Sequence, residues 1–85
     1  MNGASASAPN PKVAGTSVAF AGESAYAAML HEVLAPEGVH VGQLIIPGAI
    51  RPGTGAFAPD ALAQALWEMH RDRGVFRHTA GREAA

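Results

Sequence analysis

Apolar residues recur in two helical stretches separated by one short run of strand character. Val18, Ala21, Ala25, Met29 and Val33 form one row at helical spacing, and Tyr26, Leu30 and Leu34 form a second. The pattern predicts a helix from about Thr16 or Ser17 to Leu34. Only a narrow polar stripe is left, with Glu23 and His31 two turns apart on it and Ser24 and Glu32 at its edge. A helix this apolar is buried on most of its circumference, either in a core or against another subunit. Pro36 ends it near Ala35, because proline disfavours the α region for the residue before it, and Gly38 supplies permissive backbone for a turn.

Val39 to Ile46 then reads as a strand, with Val39, Val41 and Ile45 pointing one way and His40, Leu44 and Ile46 the other. Being apolar on both faces at its carboxyl end, it suits a parallel strand covered by helices on both sides. Pro47 to Ala58 is a loop, since Pro47, Gly48, Pro52, Gly53 and Gly55 prevent regular structure. Pro59 fits the first position of a second helix, and Asp60 places a negative charge at its amino end. Leu62, Leu66 and Met69 form the expected core face, with Ala63 and Trp67 alongside; His70, Arg71 and Arg73 suit the carboxyl end, and Gly74 is the expected left-handed cap. Val75 to Thr79 reads as a short final strand, and Ala80 to Ala85 show no structural requirement. Residues 1–15 are small and polar. Composition alone reads them as an unstructured tail, and a loop after a truncated strand is the alternative.

Four features in this order carry a family resemblance: Gly3-Ala4-Ser5-Ala6-Ser7, a long helix ending in LAPEGVHV, Pro47-Gly48 after the next strand, and a helix reading PDALAQALWEMH. Residues 1 to about 81 resemble the C-terminal part of a short-chain dehydrogenase/reductase, most closely divergent members with a shortened region after the Pro-Gly loop. The resemblance implies an α/β fold, a partial Rossmann-like doubly wound sheet formed by residues 1–81, with 82–85 as a tail. It implies an NAD(P)-dependent oxidoreductase as the intact parent, and a helix at about 17–34 that packs in a subunit interface. Ligands of open α/β sheets bind beyond the carboxyl ends of the strands. The cofactor-binding residues implied are therefore Pro47, Gly48, Ala49 and Ile50, whose main-chain groups would meet the nicotinamide carboxamide of NAD or NADP. A plain strand-ending turn is the other reading of Pro47-Gly48.

The family's catalytic set is a Ser at a strand end followed by a Tyr and a Lys one helical turn apart. The Tyr exchanges a proton with the substrate carbonyl, the Lys lowers the phenol's pKa and holds the ribose, and the Ser polarises the oxygen. Ser5 is the nearest match to the Ser, with Ala4 and Ser7 as alternative registers. Counting back from Ala35-Pro36, Thr16 occupies the Tyr position and Phe20 the Lys position, and neither can do that work. Lys12 lies outside the helix, and Tyr26 is followed four residues later by Leu30. No glycine-rich G-x-G-x-x-G loop occurs in the chain. The expectation is a chain that is inactive and binds no dinucleotide by itself; the alternative is a non-catalytic interaction module that self-associates or binds a complementary subunit through its apolar helix.

Composition narrows the field further. The 85 residues are too few for a complete dinucleotide-binding sheet, and 48% hydrophobic with 15% charged residues is too apolar for a disordered chain. A net charge of -1 leaves no electrostatic footprint for nucleic acid or an anionic membrane, and the lack of cysteine excludes disulfides and thiol chemistry. No apolar run approaches a bilayer span, so a cytoplasmic location is expected. Gly3 to Ser7 has Ser7 where a nucleophile elbow needs its second Gly. His31-Glu32 has Ala35 where a zinc-protease helix needs its second His, and Gly48 to Thr54 lacks the Lys of a phosphate loop. His31, His40, His70 and His78 are expected as surface or interface residues, with no metal site, and Trp67 as core.

Overall fold

The computed structural model describes residues 1–81. Three short strands, β1 (Asn2–Gly3), β2 (Gln43–Ile46) and β3 (Arg77–Thr79), form a parallel sheet in the order β1-β2-β3. Helix α1 (Ala14–Leu34) connects the first two strands, and α2 (Pro59–Asp72) the last two. Asn2 lies opposite Ile45, and Gln43 and Ile45 lie opposite Arg77 and Thr79. Residues 1–15 are thus a strand end, a short 3-10 turn (Ala4–Ala6), a loop, a second 3-10 turn (Pro11–Val13) and the start of α1, not a tail.

Side-chain alternation on β2 puts the helices on opposite faces. Leu44 and Ile46 form the apolar core with Leu62 and Ala80, and Phe57, Ala65 and Met69 pack against it. Gln43 faces the other way, toward Ser24 of α1. Since the strands are parallel and follow one another in order, helices on opposite faces give the two crossovers opposite hands. One of them departs from the usual right-handed rule.

Helix α1 begins at Ala14, two residues earlier than the periodicity predicts. Asn10 accounts for the extension: its side chain accepts from the Lys12 N–H at 2.9 Å, and its own N–H donates to Ser17 Oγ at 3.0 Å, which organises the Pro11 turn into the helix. The face turned to the sheet takes up only Ala21, Leu30 and Leu34 of the two apolar rows. Ser17 and Ser24 are its buried residues, flanked by half-buried Phe20, Ala21, Ala27, Ala28 and His31, whereas Val18, Tyr26, Met29 and Val33 are 57–75% exposed. Ser24 lies on this face because buried Gln43 in the sheet beneath must find a hydrogen-bond partner, whereas Ser17 is tied to the Asn10 main chain.

Strand β2 covers only the last four of the eight residues expected. Gly38 (φ 80°) and Val39 still belong to the helix exit, with N–H groups bonded to Ala35 and Leu34 carbonyls at 3.0 and 3.2 Å. Pairing begins where the Gln43 N–H reaches the Phe76 carbonyl at 2.7 Å. For the same reason β3 starts at Arg77 rather than Val75. At the end of α2 the left-handed residue is Arg73 (φ 52°), not Gly74, and its N–H bonds to the Met69 carbonyl at 3.0 Å. The inward face of α2 is Leu62, Ala65 and Met69; Leu66, Trp67 and Ala63 are exposed, so Trp67 is not a core residue. Ala80, expected to be free of structural demands, is 4% exposed and donates its N–H to the Ile45 carbonyl at 2.8 Å. The expected tail at 82–85 lies outside the described residues. Among the described residues no helix is long and apolar enough to cross a membrane.

Candidate functional site

Gly3 lies opposite Ile46, so the chain leaves β1 and β2 side by side at the carboxyl end of the sheet. The first exit is the Ala4–Ala6 turn that contains Ser5, and the second is the loop Pro47, Gly48, Ala49 and Ile50. Between them lies an open cleft of about 280 Å³ lined by Met1, Asn2, Gly3, Ile46, Gly48 and Ile50. Gly48 and Ile50 line the cleft. Pro47 and Ala49 are exposed beside it but do not line it, and half-buried Ser5 sits in the adjoining turn without lining it either.

The walls are apolar side chains and main chain. Asn2, the one polar side chain in the lining, is already committed: its amide donates to Glu23 Oε1 at 2.8 Å and its carbonyl oxygen accepts from Gln43 Nε2 at 2.9 Å. No lining side chain can act as an acid or base, so the side chains of the cleft can hold a flat ring by apolar contact, beside main-chain hydrogen bonds, but cannot move a proton. At the expected Lys position, the Phe20 ring edge lies 3.5 Å from where a Cβ on Gly3 would sit, closing an apolar ring against β1. Thr16, at the expected Tyr position, is exposed and does not line the cleft. The cleft is smaller than the roughly 300–1,000 Å³ of pockets that enclose whole ligands, and its lining offers neither a charged side chain nor a helix amino end for a pyrophosphate. The lining has room for one small flat ring and places no charged side chain to hold an anionic extension of it.

Gly48 has a packing role that needs no ligand. A Cβ there would fall 2.4 Å from Phe57 Cε2 and 2.8 Å from Cδ2, so the Phe57 ring can seat against the loop only over a glycine. The loop is closed behind it by the Arg51 N–H on the Phe57 carbonyl at 3.1 Å. Among the described residues no group of three metal-ligating side chains converges. His31 is half-buried and stacks on Phe76 with ring centroids 4.9 Å apart. Half-buried His40 sits near Gly42, and both histidines keep one buried ring nitrogen without a hydrogen-bond partner.

One constellation next to the cleft escaped the sequence reading. Arg77 Nη2 donates to Ser24 Oγ at 2.8 Å, and Ser24 Oγ donates to Gln43 Oε1 at 3.3 Å; Arg77 Nε also donates to Gln43 Oε1 at 2.6 Å. Gln43 Nε2 continues to Asn2, and Asn2 to Glu23. The chain of bonds runs from a cation to an anion through one residue of every strand and two of α1. It fixes the lateral order of the strands and holds Asn2, and with it the floor of the cleft, in place. A polar Gln in an otherwise apolar strand, opposite a helix whose only polar stripe includes Ser24, was the available signal.

Comparison with protein-family models, with curated proteins and with solved structures finds no match to this chain.

Proposed function

We propose that residues 1–81 form the C-terminal, nicotinamide-side portion of a Rossmann-like oxidoreductase sheet of the short-chain dehydrogenase/reductase type, and that this chain has no dehydrogenase activity alone. The observation that carries the reading is the emergence of the Ser5 turn and the Pro47 to Ile50 loop side by side from neighbouring parallel strands, with an open cleft between them. Ligand sites of open α/β sheets lie at that end of the strands. Inactivity follows from Thr16 and Phe20 at the positions that need Tyr and Lys, and from a cleft lining without a proton-transfer side chain. The cofactor class is NAD or NADP, met only at its nicotinamide end, and a cytoplasmic location goes with this reading.

Amide-resolved NMR titration with nicotinamide mononucleotide, and separately with adenosine monophosphate, tests it. Weak, millimolar binding of the first is expected, with shifts concentrated at Gly3 to Ala6 and Gly48 to Ile50, and no comparable shifts with the second. Equal shifts with both, shifts confined to other elements, or none with the protein folded would defeat the reading. A second reading, a non-catalytic interaction module, is favoured by a separate observation: the exposed Val18, Tyr26, Met29 and Val33 on α1.

A further inference from the structure

We propose that a second pocket, at the amino end of the sheet, binds a small aliphatic monocarboxylate of acetate or propionate size through His31, His40 and Arg73. It lies at the other end of the strands from the cleft between the Ser5 turn and the Pro47 loop, and stands whether or not that cleft takes a nicotinamide.

The fold brings three distant segments together there. His31 is in the last turn of α1, His40 stands shortly before β2, and Arg73 follows the last residue of α2. With Ala35, Gly38 and Val39 they line an open pocket of about 160 Å³, too small for anything of cofactor size. No acidic side chain is in the lining. Among the described residues Arg73 has no carboxylate partner, and its guanidinium makes one long contact of 3.4 Å to the Gly38 carbonyl.

The histidines can both serve as donors. Nδ1 of His31 and Nε2 of His40 are enclosed without a hydrogen-bond partner. In an uncharged imidazole the bond made by one nitrogen decides which nitrogen carries the proton. No acceptor holds it on the enclosed side, so it is free to sit on Nε2 of His31 and Nδ1 of His40. The acceptors around the pocket, by contrast, are taken. The carbonyls of His31, Leu34 and Ala35 accept from the N–H groups of Ala35, Val39 and Gly38, and the Gly38 carbonyl faces Arg73. Two ring N–H groups and a guanidinium fork are left, which match the two oxygens of a carboxylate. Ala35 and Val39 supply an apolar wall for a short alkyl tail.

Charge selects a monoanion. Arg73 is the one permanently charged side chain in the lining, and the carboxyl ends of α1 and α2 come together here with about half a negative charge each. The guanidinium balances one negative charge. A second, as on phosphate, would face the helix ends uncompensated.

The backbone of Arg73 points the same way. It is the one non-glycine residue at positive φ among the described residues, at 52°, although Gly74 beside it would take that conformation without strain. Such strain persists where a function holds it, and here it puts an arginine at the pocket.

NMR titration of the full chain with sodium acetate, at ionic strength held constant with chloride, tests the site. Saturable shifts are expected at the Gly38, Val39 and His40 amides and the His31 and His40 rings, with a dissociation constant of about 1–10 mM. Acetamide, the neutral isostere, should give none, and inorganic phosphate should bind at least about fivefold more weakly. Arg73→Gly should weaken acetate binding about tenfold or more while raising the melting temperature, which separates lost binding from lost folding. His31→Phe keeps a ring against Phe76 and should weaken binding about three- to tenfold. If one variant unfolds, the other decides together with acetamide and phosphate. Absence of saturable shifts at about 100 mM acetate, acetamide or phosphate binding as tightly as acetate, or a folded Arg73→Gly that binds like wild type would overturn the proposal.

Discussion

Replacing Gln43 by Ala should be among the most damaging single changes in the chain, although the residue touches no ligand. Gln43 is 3% exposed and takes part in three side-chain hydrogen bonds, accepting from Ser24 Oγ and Arg77 Nε and donating to Asn2 Oδ1. A neutral hydrogen bond contributes about 0.5–1.5 kcal/mol net and one to a charged group about 1.5–3 kcal/mol, and stranding a buried partner adds a desolvation penalty. Asn2, 7% exposed, loses its donor, while Ser24 Oγ retains the Arg77 bond. The expected loss is therefore about 3–5 kcal/mol. A domain of this size has about 4–13 kcal/mol of total stability, so the variant sits near the edge of folding. Gln43→Glu separates hydrogen bonding from volume: it keeps an acceptor for Ser24 and makes a charge-assisted bond with Arg77, but gives up donation to Asn2. It should cost about 1–2 kcal/mol, less than Ala. Urea unfolding followed by circular dichroism, with the midpoint read at constant slope, measures both. A loss below about 0.5 kcal/mol for Gln43→Ala, or a larger loss for Glu than for Ala, would refute the claim that this relay holds the sheet together.

Gly48→Ala drives a methyl into the Phe57 ring and should destabilise by about 1–3 kcal/mol, with much of the loss recovered in a Gly48→Ala/Phe57→Leu double variant; full additivity of the two changes would show that the ring is not what excludes a side chain there. Arg73→Gly should raise the melting temperature, because a non-glycine residue at φ 52° carries about 1 kcal/mol of backbone strain and the Arg73 side chain reaches only a long 3.4 Å contact to the Gly38 carbonyl. A fall in melting temperature would mean that this contact outweighs the strain.

Local patterning made the helices and their order legible, and tertiary demands decided what it could not. Pro36, Gly38 and Pro59 mark helix ends by their own stereochemistry, so the exit of α1 and the start of α2 were readable. Strand length was not, because a strand exists only where a neighbour reaches it: Val39 to Gly42 have strand character but no partner until Phe76 approaches Gln43. Which face of α1 meets the sheet was not legible, because a helix apolar on most of its circumference offers several inward faces. Buried Gln43 settles it by taking Ser24 as a polar partner, and the small stripe through Ser17 and Ser24 turns inward. The position of Gly48 and Ile50 in the loop after β2 was legible from the strand-ending Pro47, whereas the commitment of Asn2 to Glu23 and Gln43 depends on contacts 21 and 41 residues distant in sequence. The Arg73 cap was hidden behind the more obvious Gly74.

The measurement that bears most directly on the account compares the affinities of nicotinamide mononucleotide and NADH for the unmodified chain, by NMR titration under identical conditions. On the proposed reading the cleft takes the nicotinamide end, and no charged side chain or helix amino end lines it to hold a pyrophosphate. The adenosine half should therefore add nothing, and the two constants should agree within about threefold, less than 0.7 kcal/mol. NADH binding about 100-fold more tightly than the mononucleotide would require about 2.7 kcal/mol from a second subsite on this chain, and would contradict the assignment of residues 1–81 to the nicotinamide side alone.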